Sequence, residues 1–338
     1  MSAAPAPAPP PVDSTTPPTV LPVDAASSWA RPQIEAVVAA GVMGPSVAEF
    51  RPQDPLTWGD LIAGLNALGR KAPAIADTTR TVRLREFDAQ LVRALRLSKA
   101  AQTVRKALAA AGLKPNARVG NETVARLIGL RLNHPQAEDP LELGPDDPIT
   151  RAEAAYSFAK ALDLGQQDLS WVKATVGTLQ LPALSEWQAR VLGRAIGFVG
   201  FPYIWGGSSE KRQAPFGVSV PGGFDCSGFV WRVYKTQPYE GDALLPTVLQ
   251  GRTTYVMSAE VKPEQRIPGD QLQPGDVLFF GDDGATSTPD EVGHMGIYLA
   301  PGWMVHSSSN GTTIAQFSGW YADRFAWARR PLAEAGLG

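Results

Sequence analysis

The stretch GGFDCSGFVWRVYKT (222–236) contains Cys226, the only cysteine in the chain. Apolar residues recur at helical spacing from Phe229 to Tyr234, and Asp225 is a suitable cap, so the sequence predicts a helix that begins at or near Cys226. At that position free amides and the helix dipole favour a thiolate and lower the pKa of the thiol. A thiolate attacks carbonyl carbons, which makes Cys226 a candidate nucleophile. A buried structural cysteine is the alternative, and the flanking glycines, which favour a tight turn, count against it.

Two of the three histidines lie downstream in short apolar runs. His294 opens HMGIYLA (294–300), and His306 lies in WMVHSSS (303–309). If a tight turn joins the two runs, they pair as antiparallel strands and present both rings on one face. One imidazole then acts as base for the thiol, and the other orients it through a hydrogen bond. A metal site is the competing interpretation, and it lacks a third ligand with recognisable spacing.

The second half of the chain has an α+β pattern, with helices first and strands after. SEWQARVLGRAIGFVG (185–200) has the periodicity of a helix, with Ser185 as its cap. Short apolar runs between glycines follow, and their spacing predicts a small antiparallel sheet or open barrel. These runs are DVLFF (276–280), HMGIYLA (294–300), WMVHSSS (303–309), TTIAQF (312–317) and RFAWARR (324–330).

The first half is all-α in pattern, with a repeated helix-loop-helix unit between residues 24 and 163. Capping motifs start helices at TWGD (57–60) and TRAE (150–153), and an amphipathic apolar stripe follows each of them. A weaker copy is predicted at GNET (120–123), after one or two basic helices in residues 80–113. Because such a unit cannot bury its apolar face alone, we expect the copies to pack together.

Four segments result from these patterns. Residues 1–23 form an Ala/Pro-rich tail that we expect to be extended and disordered, residues 24–163 hold the repeats, residues 164–182 form a linker, and residues 183–338 form the α+β domain. The tail has neither the basic region nor the apolar stretch of a signal peptide. The protein is therefore expected either to be intracellular or to have lost its signal.

Composition excludes several classes of protein. The 338 residues are 44% hydrophobic and 19% charged, as in globular proteins, and allow about two domains. A formal net charge of −2 gives no broad positive field for nucleic-acid binding. No stretch approaches the roughly 18 apolar residues of a transmembrane helix. The basic residues within 80–113 suit a solvated helix face, with an acidic-polymer patch as the alternative.

Five motifs occur in the order found in NlpC-type cell-wall cysteine peptidases, and residues 183–332 resemble this papain-like family, which acts on bacterial peptidoglycan. The motifs are PYIWGG (202–207), FDCSGFV (224–230), LQPGDVLFF (272–280), GHMGIYLA (293–300) and MVHSSS (304–309). The resemblance implies helices that carry the nucleophile, packed on a small antiparallel sheet that carries the histidines. It also implies that the reaction needs no metal or organic cofactor.

The resemblance also implies roles for single residues. These are Cys226 as nucleophile, His294 as base, His306 as the residue that orients the base, Tyr203 near the oxyanion, and Asp225, Ser227 and Trp205 as substrate contacts. Core packing beside Trp205 is the alternative for Tyr203, and helix capping is the alternative for Ser227. The implied reaction is hydrolysis of the amide bond between the side-chain carboxyl of D-glutamate and the next diamino acid of a peptidoglycan stem peptide. A peptidoglycan amidase, an acyltransferase on the same fold and a non-catalytic cell-wall-binding protein remain alternatives.

Residues 24–163 resemble S-layer homology modules, which attach bacterial envelope proteins to cell-wall polymers. In that family the arginine of the TRAE motif contacts an anionic wall polymer, which implies this role for Arg151. TWGD (57–60) and GNET (120–123) lack the arginine, so a helical scaffold or spacer is an equal alternative. Together the two resemblances imply an extracytoplasmic or cell-envelope location.

One segment departs from the NlpC-type pattern. SSEKRQAPFGVSVPGG (208–223) is roughly ten residues longer than the family connection, and its Pro and Gly content predicts a surface loop beside the active site. We expect this insert to tune substrate access rather than to support the fold.

Overall fold

The computed structural model describes residues 27–235 and 244–338, together with Tyr239 and Gly241. The predicted tail, residues 1–23, lies outside the described residues. The described chain is helical in its first half and combines helices with an antiparallel sheet in its second half, so the α+β prediction is confirmed. No helix among the described residues is long and apolar enough to cross a membrane.

The first half is built from helices whose start points follow the capping motifs. Thr57 and Asp60 form a reciprocal capping box, and Thr150 accepts from the backbone amide of Glu153. The helices are α1 (Arg31–Ala39), α2 (Trp58–Ala67), α3 (Leu84–Ala94), α4 (Ser98–Ala110), α5 (Ala117–Leu127), α6 (Arg151–Asp163) and α7 (Gln166–Gly177).

Three extended turns, which precede α2, α3 and α6, join the repeats. Leu56 donates its amide to the carbonyl of Ile149, Ile149 donates to Val82, and Val82 donates to Leu56, so three fully buried residues close a ring of backbone hydrogen bonds. The middle repeat therefore begins at Val82. The prediction of its motif at GNET (120–123) is wrong, because these residues lie inside α5. There a glycine allows the carbonyl of Ala101 to approach closely.

The segment predicted as a linker, residues 164–182, contains α7. Leu169 and Val172 are buried, and the helix packs against α4. Just beyond α7, the hydroxyl of Thr178 accepts a hydrogen bond from the indole of Trp303 at 3.2 Å. The segment is therefore packed between the helical region and the sheet.

The second half places helices against one central sheet. Its helices are α8 (Glu186–Gly197), α9 (Cys226–Tyr234), α10 (Leu245–Val248), α11 (Thr254–Ala259), α12 (Trp320–Asp323) and α13 (Pro331–Glu334). Its strands are β1 (Ser208–Ser209), β2 (Gly223–Phe224), β3 (Val277–Gly281), β4 (Val292–Ala300), β5 (Trp303–Ser308), β6 (Gly311–Gln316) and β7 (Phe325–Arg329). The order in the main antiparallel sheet is β6-β5-β4-β3-β7, and β1 and β2 form a separate pair. Because α9 packs on β4 and β5, the helix of Cys226 lies against the strands of the two histidines.

The interior strand β3 is apolar on both faces because both faces are covered. Val277 and Phe279 face the large core that the sheet shares with α9, whereas Leu278 and Phe280 face a smaller core on the opposite side. Successive side chains of a strand point to opposite faces. A continuous apolar run is therefore what a strand buried on both sides requires.

Helix α5 joins the helical region to the α+β domain through arginine side chains. Arg118 donates to the carbonyl of Val199 at 3.0 Å, and the buried Arg126 donates to that of Gly200 at 3.0 Å. Arg126 also donates to the carbonyl of Asn310 in the β5–β6 turn. One continuous apolar cluster includes residues of both halves. The two halves therefore meet at a packed interface that contains both polar and apolar contacts.

The insert, residues 208–223, is folded into a narrow hairpin. Its ends pair as β1 and β2, and the side-chain amide of Gln213 donates to the carbonyl of Gly223 at 2.8 Å. Glu210 forms an ion pair with Arg232 of α9 at 2.7 Å. The insert is thus fastened to the helix that begins with Cys226.

Candidate active site

Cys226 is the first residue of α9. Asp225 caps this helix by accepting a hydrogen bond from the amide of Gly228. A Cβ atom at Gly228 would lie 1.9 Å from the carbonyl oxygen of Gly207, so a side chain is excluded where α9 touches the PYIWGG loop. The sequence prediction of a helix that starts at the cysteine is confirmed.

The sulfur of Cys226 lies in a small polar environment within an apolar core. The residue is 7% exposed, and the hydroxyl of Thr254 lies 3.5 Å from Sγ. The backbone amides of Met295 and Ser227 lie close to the sulfur and act to lower the pKa of the thiol. Since the Met295 amide directly follows His294 in the chain, the thiol lies beside the strand segment that carries the first histidine.

His294 on β4 and His306 on β5 are in direct contact. Nε2 of His294 and Nδ1 of His306 are 2.9 Å apart, and the two rings are nearly perpendicular. His306 is 1% exposed, whereas His294 is only partly buried. The ring of Tyr321 lies 5.7 Å from the His294 ring and 5.0 Å from the His306 ring. The strand pairing proposed from the sequence therefore brings both imidazoles together.

Burial determines the protonation states of Cys226, His294 and His306. It raises the pKa of Cys226 to about 11, with a smaller contribution from the nearby carboxylate of Asp225. It lowers the pKa of His294 to about 4, and it lowers that of His306 well below the usual range, helped by the charge of His294. The sequence predicted an acidic thiol from the helix position, and the structure gives the opposite direction because desolvation disfavours the thiolate. At neutral pH the resting pair is a neutral thiol and a neutral imidazole.

Tyr203 and Trp205 lie in the loop that crosses α9. Tyr203 pairs with Phe224 in a short backbone bridge, two residues before Cys226. Burial raises the pKa of the Tyr203 phenol, and the neighbouring Cys226 and Asp225 raise it further, so the phenol remains a proton donor. Trp205 is 48% exposed.

Arg252 is a site residue that sequence reasoning missed. Its guanidinium donates to Asp225 at 3.1 Å, to the hydroxyl of Ser227 at 2.8 Å, and to the carbonyls of Gly206 and Gly207 at 3.0 and 3.1 Å. It thereby joins the cap of α9 to the PYIWGG loop. The arginine lies in a loop outside the five motifs, so the sequence offered no signal for its role.

A cleft of about 600 Å³ opens onto His294. One wall comes from the helical region, in the segment 133–136, and the facing walls come from the α+β domain. The residues of the α+β domain that line the cleft are Tyr203, Trp205, Gly293, His294, Ser308, Ser309, Trp320 and Tyr321. Tyr321 and Thr254 were also missed, because only the folded chain brings them to the histidines and the sulfur.

Two family models match parts of this chain. Residues 200–330 match the NlpC/P60 family, and residues 23–61 match the S-layer homology domain. The NlpC/P60 match covers most of the α+β half of the chain. The predicted NlpC-type domain preceded by S-layer homology-like sequence is therefore confirmed. The S-layer match falls on the first repeat, which contains α1 and the start of α2.

Three curated relatives each match less than half of this chain. A gamma-DL-glutamyl hydrolase of Bacillus subtilis is 31% identical over 43% of this chain and 30% of its own length. A gamma-D-glutamyl-L-lysine dipeptidyl-peptidase of the same species is 30% identical over 35% of this chain and 31% of the relative. A probable endopeptidase of Mycobacterium tuberculosis is 35% identical over 37% of this chain and 24% of the relative. The chain thus spans less than a third of the length of each of these relatives.

Solved structures of NlpC/P60 domains also match. An NlpC/P60 family protein from Bacillus cereus is 26% identical, with a TM-score of 0.31, over 45% of this chain and 42% of that chain. The NlpC/P60 domain of the peptidoglycan hydrolase SagA is 25% identical, with a TM-score of 0.30, over 42% of this chain and 97% of that chain.

Arg151, the predicted polymer contact, lies outside the NlpC/P60 match and does not line the cleft. It is 6% exposed, its Nε donates to the carbonyl of Phe50 at 2.8 Å, and its guanidinium pairs with Asp60 at 2.9 Å. Polymer contact by Arg151 therefore stays a prediction, and in this structure the arginine also connects α6 to α2.

Within the part of the chain that the structure describes, no group of three or more His, Cys, Asp or Glu side chains is arranged to hold a metal ion.

Proposed function

We propose that this protein is a peptidoglycan hydrolase of the cysteine peptidase type. Its proposed bond is the amide between the side-chain carboxyl of D-glutamate and the following diamino acid of a stem peptide. The proposal is carried by the 2.9 Å contact between His294 and His306 beside Cys226 at the start of α9. The NlpC/P60 match supports the reaction type, and relatives named for gamma-glutamyl hydrolysis support the bond.

The histidine pair suits the proton transfers of this reaction. When Nε2 of His294 donates to His306, Nδ1 of His294 has a free lone pair for the thiol proton. Sγ of Cys226 attacks the carbonyl carbon as this proton leaves, and a carbon–sulfur bond forms. The imidazolium then protonates the leaving amine as the carbon–nitrogen bond breaks. Water that loses a proton to His294 hydrolyses the thioester and restores the thiol.

The negative charge that develops on the carbonyl oxygen needs hydrogen-bond donors. The first amides of α9 have no partners within the helix, and the protonated phenol of Tyr203 lies in the neighbouring loop. Asp225, Ser227 and Trp205 are proposed substrate contacts, because they flank the nucleophile and the loop. Arg252 holds the carboxylate of Asp225 and the hydroxyl of Ser227 in place for this role.

Digestion of purified sacculi tests the function. Mass spectrometry of the soluble products should show new amino-terminal diamino acids with the wild-type protein and none with Cys226→Ala. Free lactyl groups on muramic acid would identify an amidase instead. Product formation by Cys226→Ala within tenfold of the wild-type rate would remove the thiol from the mechanism.

We further propose that the helical region binds an anionic cell-wall polymer and places the enzyme in the cell envelope. The S-layer homology match and the TRAE sequence around Arg151 support this role. Because Arg151 pairs with Asp60, polymer binding requires a negative group to compete with that carboxylate.

Two variants of the same ion pair test polymer binding. Arg151→Gln removes the positive charge, whereas Asp60→Asn breaks the pair and leaves the charge in place. We expect the full chain with Arg151→Gln to be retained less by purified cell wall, and Asp60→Asn to be retained at least as well as the wild type. Equal retention of all three proteins would favour the scaffold interpretation.

A further inference from the structure

The helical region makes hydrogen bonds to the backbone of the PYIWGG loop. The amide of Tyr203 donates to Oδ1 of Asn133 at 2.6 Å, and Nδ2 of Asn133 donates to the carbonyl of Tyr203 at 3.1 Å. The amide of Trp205 donates to Oδ2 of Asp139 at 3.0 Å. We call these three hydrogen bonds the interdomain contact. They satisfy backbone groups of the loop with side chains that come from the other half of the molecule.

The opposite edge of the same loop is bonded to the segment that leads into α9. The amide of Ile204 donates to the carbonyl of Phe224 at 3.2 Å, and Tyr203 forms a backbone bridge with the same residue. Phe224 lies two positions before Cys226. The loop is therefore bonded on one edge to the helical region and on the other edge to the nucleophile segment.

The segment that supplies Asn133 and Asp139 is itself held firmly. Nε2 of His134 lies 2.7 Å from Glu153, and Arg131 pairs with the same carboxylate at 3.1 Å. The ring of Trp29 packs edge-on against His134 at 4.5 Å, and Glu142 accepts from the backbone amide of His134. Buried ionic groups that satisfy one another in this way fix local geometry.

We propose that Asn133 and Asp139 are positioning residues of the active site. Through the interdomain contact they hold the Tyr203 phenol and the Trp205 ring in register with Cys226, so the helical region completes the catalytic site. The proposal rests on the proposed hydrolysis, because it assigns the loop a part in turnover. A misplacement of about 1 Å in such a loop can lower turnover by about 100-fold.

Substitutions in the full chain test the role. Asn133→Ala and Asp139→Ala each remove the acceptor of one loop amide, and we expect kcat on a γ-glutamyl stem peptide to fall at least tenfold with a small change in KM. Asp139→Asn keeps an oxygen that accepts from the Trp205 amide, so its kcat should stay near the wild-type value. Thr57→Ala, which removes the cap of α2, is the stability control. It should lower the melting temperature and leave kcat unchanged.

A second measurement needs no substrate. Hydrogen exchange at the amides of Tyr203 and Trp205 should be slow in the wild type and in Thr57→Ala. It should be faster at Tyr203 in Asn133→Ala and at Trp205 in Asp139→Ala. Unchanged exchange in both alanine variants would overturn the contact, and faster exchange with wild-type kcat would overturn the positioning role.

If the proposed hydrolysis is wrong, a different set of measurements tests the positioning role. In that case the wild-type protein releases no product from stem peptides, and the alkylation rate of Cys226 by iodoacetamide replaces kcat as the measurement. We expect Asn133→Ala to change this rate several-fold relative to Thr57→Ala, because the loop borders the thiol. Equal alkylation rates would then overturn the positioning role independently of the substrate.

Discussion

Cys226 is subject to two opposing effects on its thiol. The start of α9 favours the thiolate, whereas burial at 7% exposure raises the pKa to about 11. We therefore expect the rate of iodoacetamide alkylation to rise with pH, with a midpoint above the ordinary thiol value of about 8.5. His294→Ala is the control, and it should leave this midpoint nearly unchanged. A wild-type midpoint near neutrality that rises in His294→Ala would instead indicate a thiolate–imidazolium pair.

Substitution of Arg252 tests how strongly Asp225 and Ser227, the proposed substrate contacts, depend on its guanidinium group. It donates to a carboxylate, a hydroxyl and two carbonyls, which a compact ammonium group cannot match. We expect Arg252→Ala to lower kcat/KM by about tenfold or more, and Arg252→Lys to recover only part of the loss. Arg212→Ala on the exposed insert is the control and should retain wild-type kcat/KM. Wild-type kcat/KM in Arg252→Ala would show that Asp225 and Ser227 need no support from this side chain.

At the scale of elements, the insert at 208–223 is more structured than a simple surface loop. Replacing 209–221 by a short glycine-containing turn removes the Glu210–Arg232 ion pair and the hydrogen bonds of Gln213. We expect the melting temperature to fall by a few degrees, since each 1 kcal/mol corresponds to about 2–4 °C in a domain of this size. Activity on short stem peptides should persist.

The same deletion tests substrate access. Phe216 of the insert lies against Gly206, next to Trp205, so the insert borders the loop that forms part of the cleft. The ratio of rates on short peptides and on intact wall should therefore shift in favour of short peptides. A deletion variant with an unchanged ratio would show that the insert has no role in access, and an unfolded variant would show that it is structural.

The elements that the sequence predicted well are those with a strong local signal. The capping box of α2, the Ser185 cap of α8 and the apolar run of β3 depend on neighbouring residues, and the structure has them where they were expected. The start of the middle repeat was missed because Arg83 occupies the position that Thr57 and Thr150 hold in the other copies. Because α3 has no side-chain cap, its apolar periodicity alone did not identify it as the counterpart of α2 and α6.

Candidate site residues could be predicted from the sequence where a single motif contained both the residue and the pattern that suggests its chemistry. Cys226 and the two histidines are rare residues in distinctive runs, so their pairing followed from strand geometry. Arg252 and Asn133 act across long stretches of chain, and no local pattern distinguishes them from ordinary loop residues. Their roles depend on packing between α9, the PYIWGG loop and the helical region, which sequence spacing alone does not define.

At the scale of the whole molecule, the two halves share an interface that contains buried charge. Arg126 is 7% exposed, lies 3.6 Å from the buried Glu122, and donates to the carbonyls of Gly200 and Asn310. An interface of this kind couples the two halves, since opening it breaks the hydrogen bonds that the buried Arg126 donates to the carbonyls of Gly200 and Asn310. We therefore expect one cooperative unfolding transition for the whole chain rather than one for each half.

Arg126→Leu tests this coupling by differential scanning calorimetry. Removing one partner of a buried ion pair costs about 3–5 kcal/mol, so the single transition should move to a clearly lower temperature as one peak. Arg31→Ala breaks an exposed ion pair with Glu35 and should leave the transition nearly unchanged. A wild-type scan with two transitions, or an Arg126→Leu scan in which only one part of the heat absorption moves, would contradict the coupling. A single shifted peak would mean that the catalytic site does not stay folded once the helical region unfolds. The loop that carries Tyr203 would then lose its hydrogen bonds to Asn133 in the same transition.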